Sequence, residues 1–408
     1  MAKVDLDEDI LWRIFVMNAD IYAPLEGGQD PVSSSPLTIA RRSSQVCQSW
    51  RRLLLGSPSI WGRLIHLDHL GQSSNLWKHE VLRRTGNAPL YIRGVSIRRN
   101  AELFFFHIID VEWTRIRRID VKIKNEWHAE AWRPLLRPNP MLETFYLRYF
   151  DSSVSLGPEG NLFSDSAPFL REFSSPSIRF SLDAPWLSQI QHITISHKYP
   201  LSELLLAMKS MECLVHISIQ DGFNVNSSQT TEPLSLSLPR LLYINLRGHP
   251  SACCRFLECI TPAPGCGLRL ALWELIISTD ELRKFHKIFD RFLLNYIALY
   301  TPKCYQLGIQ SNFFTLNNLV EASPLSIFDI GFCYNPDLSN LVENLFLSSL
   351  RESPITHSLK TLKLSEAYFK ESYSDDFVEL SQSLSSVDTL QVSTMRTLDL
   401  LRQIPSGK

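Results

Sequence analysis

Apolar residues near the start of the chain recur at helical spacing. Between residues 5 and 20 they lie three and four positions apart, at Leu6, Ile10, Leu11, Ile14, Phe15 and Met17. This spacing places them on one face of an amphipathic helix. Asp7, Glu8 and Asp9 fall in its first turn, where carboxylates suit the partial positive charge of a helix N-terminus. The pattern therefore predicts a helix across this segment.

A proline- and serine-rich segment separates this helix from a second amphipathic run. Residues 23–36 hold three prolines, two glycines and three serines, a composition that favours a loop. Helical spacing then resumes at Ile39, Val46, Cys47, Trp50, Leu53 and Leu54. Ser57-Pro58 ends the run, and a further apolar cluster follows at Ile60, Trp61, Leu64 and Ile65. We expect a second helix here, followed by more packed structure.

From residue 116 onward, a pattern of apolar-x-x-apolar-x-apolar residues recurs. It starts at Ile116, Leu142, Ile190, Leu214, Leu241, Leu272, Cys304, Leu325, Leu359 and Val387, with a degraded copy at Leu170. The ten intervals between residues 116 and 387 average 27.1 residues, within the period of leucine-rich repeats. In such repeats the apolar positions of short strands point inward, and neighbouring strands stack into one curved parallel sheet. Segments such as Asp280 to Tyr300 are expected to form helices on the convex side.

Four short motifs follow one another near the N-terminus: Asp5-Leu-Asp-Glu-Asp-Ile-Leu11, Ile14-Phe15, Val46-Cys-Gln-Ser-Trp-Arg51 and Ser59-Ile-Trp61. In this order they resemble the F-box of many fungal proteins, whose pattern runs Leu-Pro-x-Glu-Ile-Leu, Ile-Phe, Val-Cys-x-x-Trp-Arg and Leu-Trp. The resemblance covers roughly residues 4 to 92. Asp7 stands where the family usually has proline, and the loop at 23–36 is longer than in a minimal F-box.

The resemblance implies a three-helix F-box module that docks on a Skp-type adaptor and, through it, joins a cullin ubiquitin ligase. It implies adaptor contacts at Leu6, Ile10, Leu11, Ile14, Phe15, Val46, Trp50, Leu53 and Trp61. Alternatively, these side chains form only the core of a helical cap on the repeat array. A module of about 60 residues cannot bury so many large side chains, so we expect some to remain exposed for a partner.

Together these patterns predict an α+β or α/β solenoid chain. The expected divisions are an F-box at 1–66, a connecting segment and repeat N-cap at 67–110, and an irregular leucine-rich-repeat-like solenoid at 111–408. The x positions of the predicted strands are expected to face a target protein. They are His192, Thr194, His216, Ser218, Tyr243, Asn245, Lys360 and Lys363. Their mixed chemistry does not indicate which target.

Composition narrows the function classes. The 41 basic and 42 acidic residues nearly cancel, so nucleic-acid binding through a broad positive field is not expected. The first residues are acidic rather than basic and apolar, and the apolar runs are too short for a membrane span. Eight cysteines in a chain of this length suggest reduced thiols. We therefore expect a soluble protein of the cytoplasm or nucleus with no membrane partner.

Motifs that carry catalytic chemistry were not found. The chain has no glycine-rich phosphate loop, nucleophile elbow, His-Glu-x-x-His sequence or dinucleotide fingerprint. Cys253, Cys254, Cys259 and Cys266 lack the paired spacing of zinc ligands, so buried thiols are the preferred interpretation. We expect no enzyme activity, cofactor or metal. The alternatives are an interaction scaffold without a ligase role, or a hydrolase or transferase whose site no motif reveals.

Overall fold

A computed structural model describes residues 7–22, 35–71, 73–95, 98–149, 161–176, 178–196, 199–220, 235–310, 312–318, 327–364, 375–384 and 386–392. The chain forms two compact units, Met1–Ile190 and Gln191–Lys408. Each has a mixed α/β structure on a largely parallel sheet, which confirms the coarse fold class. The boundary between the units lies within the segment predicted as one solenoid. The F-box and the solenoid stay predictions.

The first unit begins with a group of short helices. They are α1 (Glu8–Met17), α2 (Pro36–Ser43), α3 (Gln48–Leu55), α4 (Pro58–Gly62), α5 (Leu67–Leu70), α6 (Asn75–Arg84), α7 (Arg99–Val111) and α8 (Ala129–Trp132). Helix α1 starts where the Asp7 carboxylate accepts a hydrogen bond from the Asp9 amide at 2.8 Å, a typical N-cap. The predicted first helix is confirmed, although it is shorter at both ends.

The predicted second helix is in fact two helices, α2 and α3. The backbone of Cys47 is extended, and its Sγ accepts a hydrogen bond from the Trp50 amide at 3.5 Å, which starts a new helix. The predicted loop also ends one residue early. Ser35 caps α2, and Pro36 occupies its first turn, a position that favours proline. The loop residues 23–34 lie outside the described part of the chain.

The sheet of the first unit is parallel throughout its described strands. They are β1 (Ile65–His66), β2 (Leu90–Gly94), β3 (Ile116–Ile123), β4 (Thr144–Tyr149) and β5 (Glu172–Ser174), in that order across the sheet. Short 3-10 helices lie at Trp113–Arg115, Arg133–Leu136, Leu162–Asp165 and Pro185–Gln189. Strands β1 and β2 lie in segments for which the sequence pattern predicts no strand.

The second unit contains a larger sheet. Its strands are β6 (His192–Ile195), β7 (His216–Gln220), β8 (Leu236–Ser237), β9 (Tyr243–Gly248), β10 (Ile260–Thr261), β11 (Gly267–Ile276), β12 (Cys304–Ile309), β13 (Phe313–Asn318), β14 (Phe328–Tyr334), β15 (Thr361–Leu364) and β16 (Thr389–Val392). Its α helices are α9 (Leu201–Ser210), α10 (Pro250–Glu258), α11 (Thr279–Ile297), α12 (Ser339–Glu352), α13 (Ile355–Ser358) and α14 (Asp375–Ser383), and Pro336–Leu338 forms a 3-10 turn. The predicted helix near 280–300 is confirmed by α11.

Strand order in the second unit departs from simple sequential stacking. Across the main sheet the order is β6-β7-β9-β11-β14-β13-β12-β15-β16, and β8 pairs separately with β10. The repeat model places β12 beside β11, but β14 takes that position. Strand β13, which the repeat pattern missed, pairs antiparallel with both β12 and β14. The predicted array of consecutive parallel strands is therefore wrong between β11 and β15.

The repeat pattern also misplaces one strand. The copy starting at Leu272 predicts that Leu275 and Ile277 point inward, yet both are exposed. Strand β11 begins at Gly267 instead, and a register shift between Ala271 and Leu275 interrupts its pairing with β14. The sequence signal for the true strand is the alternation of Leu268, Leu270 and Leu272.

Apolar side chains on one face of the second unit's sheet pack against its helices. Phe332 on β14 lies 4.9 Å from Phe285 on α11 and 5.1 Å from Phe346 on α12, measured between ring centroids. All three rings are buried. Because side chains alternate along each strand, the other face carries the polar positions. Within the ranges given above, no helix has the length and apolar content needed to cross a membrane.

Candidate functional site

Helices α1 to α4 form what we call the helical module. Two predicted adaptor residues on α1 lie in its core. Leu11 and Phe15 are both about 5% exposed. The Phe15 ring meets the half-buried Trp50 ring of α3 edge to face, with centroids 5.1 Å apart. Leu53, on the same helix as Trp50, is also half-buried. These contacts fix α1 against α3 and leave only part of Trp50 and Leu53 accessible.

Trp61 is fully buried. Its indole Nε1 donates a hydrogen bond to the Leu54 carbonyl at 2.8 Å, and the Arg84 guanidinium lies 4.6 Å from the ring centroid. A buried indole needs such an acceptor, and here it has one. Trp61 therefore supports the module from inside. The predicted direct contact with an adaptor would require this side chain to leave its core position.

Exposed apolar side chains form a neighbouring line along α1. Ile10, Ile14 and Met17 are 49%, 41% and 78% exposed, and their spacing of four and three residues places them along one line of the helix. We call these three residues the α1 stripe. Val46, in the turn before α3, is 64% exposed. Leu6 lies outside the described residues. Ile10, Ile14 and Val46 are thus the predicted adaptor residues that the structure leaves accessible.

A second candidate surface is a row of side chains on the polar face of the second unit's sheet. Cross-strand partners run through nine strands, and we call them the polar row: Thr194, Ser218, Asn245, Arg269, Asp329, Asn317, Gln306, Lys363 and Gln391. Directly paired residues share one sheet face, so these side chains are neighbours. Asn245 Nδ2 donates to Ser218 Oγ at 3.1 Å, and Arg269 Nε lies 3.1 Å from Asp329 Oδ2.

Beside the polar row, three rings contact one another at steep angles across adjacent strands. His192 pairs with His216, and His216 pairs with Tyr243, with ring centroids 5.6 and 4.8 Å apart. Burial and the neighbouring His192 ring lower the pKa of His216 from 6.5 to about 4. Burial raises the pKa of Tyr243 to about 12, although Arg269 lowers it in part. Both rings are therefore uncharged at neutral pH.

The structure brings together six of the eight predicted target residues, on β6, β7 and β9. Lys360 and Lys363 lie apart from them, because β15 is five strand positions from β9, or about 24 Å at the usual strand spacing. The predicted surface position of Tyr243 is wrong, since its side chain packs against His216 and is 5% exposed. Ser218 is buried as well.

The sequence pattern missed the residues that lie between the six residues on β6, β7 and β9 and the pair Lys360 and Lys363. Arg269, Asp329, Asn317 and Gln306 fill the row between Asn245 and Lys363. Arg269 was missed because the strand was placed five residues too late, and Asn317 because β13 was not predicted. Alternation within Phe313–Asn318 was the available signal for that strand.

Two buried atoms on the polar face lack a hydrogen-bond partner within the described residues. They are Nε2 of His216 and Oδ1 of Asn317. Both atoms are buried from solvent, so they lie out of reach of a docking protein. A bound protein would meet this face through its exposed side chains, such as Arg269.

The cysteines of the second unit lie in packed positions. Cys253 and Cys254 are buried on α10, and Cys266 is buried just before β11. Burial raises the pKa of each of these three thiols to about 12, so they are neutral. This agrees with the interpretation as buried thiols for these three cysteines, whereas Cys259, at the end of α10, is only half-buried. Among the described residues, no group of three or more His, Cys, Asp or Glu side chains is placed to hold a metal ion.

No protein-family model matches this chain, and no curated protein matches it significantly.

Proposed function

We propose that this protein is a substrate-recognition subunit of an SCF-type cullin ubiquitin ligase. The observation that carries the proposal is the α1 stripe, with Val46, on a helical module whose sequence resembles an F-box. Folding of the module leaves these apolar side chains in water, although burying one isoleucine contributes about 1.5–3 kcal/mol. A partner that covers them gains that free energy. The partner that the resemblance implies is a Skp-type adaptor.

Asp7, the departure from the F-box pattern, has a local structural role. Its carboxylate caps α1, so the helix has a defined start without the usual proline. Glu8 in the first turn lies 3.3 Å from Arg52 of α3, but both side chains are largely exposed and the pair contributes little stability. The departure is therefore compatible with an ordered α1 and with presentation of the stripe.

In this proposal no covalent step takes place on the chain. The helical module holds the adaptor, and the polar face of the second unit holds a target protein. Holding a target beside a ubiquitin-loaded enzyme raises its effective concentration at the reaction. The Arg269 side chain, which is 55% exposed, and the half-buried Lys363 favour a target surface that presents hydrogen-bonding groups.

The adaptor test is co-purification of the full chain with a recombinant Skp-type adaptor, followed by titration calorimetry. The double variant Ile10→Ser, Ile14→Ser removes two accessible apolar side chains and leaves the buried Leu11 and Phe15 in place. We expect affinity for the adaptor to fall at least about 30-fold, from the loss of apolar burial at two positions. Met17 is left unchanged because it also lines a cavity described below.

The matched control is Leu206→Ser, Leu294→Ser, which removes two exposed leucines from α9 and α11 of the second unit. Its affinity for the adaptor should equal that of the native chain. Failure of the folded native chain to bind any Skp-type adaptor would overturn the proposal. An equal loss in the two double variants would show that the α1 stripe is not the interface.

The alternative function is an interaction scaffold that never joins a ligase. It is favoured by the position of Leu11, Phe15 and Trp61, which form the core of the helical module, as in a cap that only covers a sheet. The same co-purification separates the two, because a scaffold keeps its polar face for targets and does not bind the adaptor.

A further inference from the structure

A cavity of about 510 Å³ lies in the first unit, beside the residues that end and follow α1. This volume is within the range of small-molecule sites. Val16, Ala19 and Ile21 supply apolar lining, and Arg63 and Arg118 supply cationic lining. The cavity thus combines the two kinds of contact that an amphipathic anion requires.

Neither cavity arginine forms an ion pair or hydrogen bond with a carboxylate in the described part of the chain. The Arg118 guanidinium lies 3.8 Å from the Tyr22 ring centroid, and the Arg63 guanidinium lies 5.0 Å from that of Tyr91. Nε of Arg118 is buried and has no acceptor among the described residues. Stacking on aromatic rings leaves the N–H groups of a guanidinium available for a planar oxyanion.

Asp20 is the acidic residue of the lining. Its Oδ1 accepts a hydrogen bond from the Tyr22 amide at 2.8 Å, so it serves the turn that follows α1. The charge of the lining remains positive, with two arginines against this one carboxylate. An oxyanion head would bring a second negative charge to the two arginines of the lining.

We propose that this cavity binds a small organic anion. Its oxyanion head, a carboxylate or a phosphate, meets Arg63 and Arg118, and its apolar body packs against Val16, Ala19 and Ile21. Because Tyr22 donates a hydrogen bond to the Ile92 carbonyl of β2 at 3.0 Å, the cavity lies where the end of α1 joins the sheet. Bound anion therefore stabilises this junction. The proposal does not depend on adaptor binding.

The test uses the full chain and a matched pair of probes, 1-naphthoate and the neutral 1-naphthamide, in titration calorimetry. The two probes share one apolar body and differ in charge. We expect 1-naphthoate to bind at one site and 1-naphthamide to bind at least about tenfold more weakly, from loss of charge-assisted hydrogen bonds. Arg63→Gln and Arg118→Gln should each weaken 1-naphthoate about tenfold and leave 1-naphthamide unchanged.

Arg133→Gln is the control, since Arg133 is an exposed arginine of the same unit outside the cavity lining. Equal affinity for the two probes, absence of 1-naphthoate binding, or an equal loss in Arg133→Gln would overturn the proposal. If Arg118→Gln fails to fold by far-UV circular dichroism, Arg63→Gln decides the result alone. Tighter binding of 1-naphthyl phosphate than of 1-naphthoate assigns a phosphate head, and weaker binding assigns a carboxylate.

Discussion

The polar faces of the two sheets arise from the same alternation along their strands but meet different neighbours. In the first unit the Tyr22 ring packs over that face, 3.8 Å from the Arg118 guanidinium and 5.7 Å from that of Arg93. In the second unit Arg269 pairs instead with Asp329 of the next strand, and its side chain stays 55% exposed. Around Arg118 the first face is covered by a segment of its own unit, whereas the second face keeps Arg269 in contact with water.

This difference separates a face whose arginines pack within their own unit from a face whose arginine reaches solvent. Tyr22 reaches its position from 70 residues away in sequence, and its hydroxyl donates to the Ile92 carbonyl. Burial raises the pKa of Tyr22, so the phenol is neutral at neutral pH. The polar row has hydrogen bonds mainly between neighbouring strands, which stabilise the sheet little but present a continuous surface. Three predictions test this contrast.

The largest loss of stability is expected at Tyr22, which covers the polar face of the first unit around Arg118. Tyr22→Ala should lower the free energy of unfolding by about 3 kcal/mol, because it removes a packed ring, a hydrogen bond and the stacking on Arg118. Urea unfolding followed by far-UV circular dichroism measures this. Tyr22→Phe keeps the ring and should cost only about 1 kcal/mol. A loss below about 0.5 kcal/mol for Tyr22→Ala would show that the cover is not structural.

An intermediate effect is expected on acidification. Because the folded-state pKa of His216 is about 4, against 6.5 when unfolded, the unfolded chain binds the proton more readily. Stability is therefore complete above pH 6.5 and falls as pH drops toward 4. For this half-buried ring we expect a loss of about 1 kcal/mol at pH 5. The free energy of unfolding, measured with urea, falls between pH 7 and pH 5. In His216→Gln this fall should be smaller than in the native chain by about 1 kcal/mol.

The first unit offers a matched histidine for this experiment. Burial, and then the His69 ring stacked 4.1 Å away, lower the pKa of His66 to about 4. His66→Gln should reduce the fall in unfolding free energy between pH 7 and pH 5 by a similar amount. If neither variant changes the difference in unfolding free energy between pH 7 and pH 5, the acid sensitivity comes from other groups. The role assigned to the two buried histidines is then wrong.

The strand positions were largely predictable from sequence, because they depend on local alternation. The copies of the repeat pattern at Ile190, Leu214 and Leu241 lead directly into β6, β7 and β9. Pairing between strands depends on distant segments, which a local pattern does not contain. The antiparallel pairing of β13 with β12 and β14 was therefore missed. The permissive pattern also accepted Leu272, although the bulge in β11 turns Leu275 outward.

The candidate sites were predictable to a similar depth. Helical spacing identified an apolar face on α1, but a wide face does not reveal which part the rest of the module covers. Leu11 turned inward while Ile10 stayed exposed. Trp61 is buried partly by Arg84, a contact across 23 residues that the F-box motif does not encode. Whether these residues bind an adaptor stays a prediction.

The smallest effect is expected on the exposed row of the second unit. Asp329→Asn removes the ion pair with Arg269, a half-exposed pair whose contribution is about 0.5 kcal/mol or less. Burial raises the pKa of the Asp329 carboxyl, although Arg269 lowers it, so loss of the charge also relieves a desolvation cost. Urea unfolding at pH 7 should thus place this variant within about 0.5 kcal/mol of the native chain.

Asn245→Ala, elsewhere on the polar row, is the companion variant. It should cost a similarly small amount because, among the described residues, its side-chain amide bonds to Ser218 on the neighbouring strand. Small losses of unfolding free energy at both positions, compared with the loss at Tyr22, mean that the polar row is not needed for stability and is free to serve recognition. Its variants can then be assayed for target binding while they remain folded. A loss above about 2 kcal/mol at either position would instead make the row structural, and the two faces would then differ only in which part of the unit stabilises them.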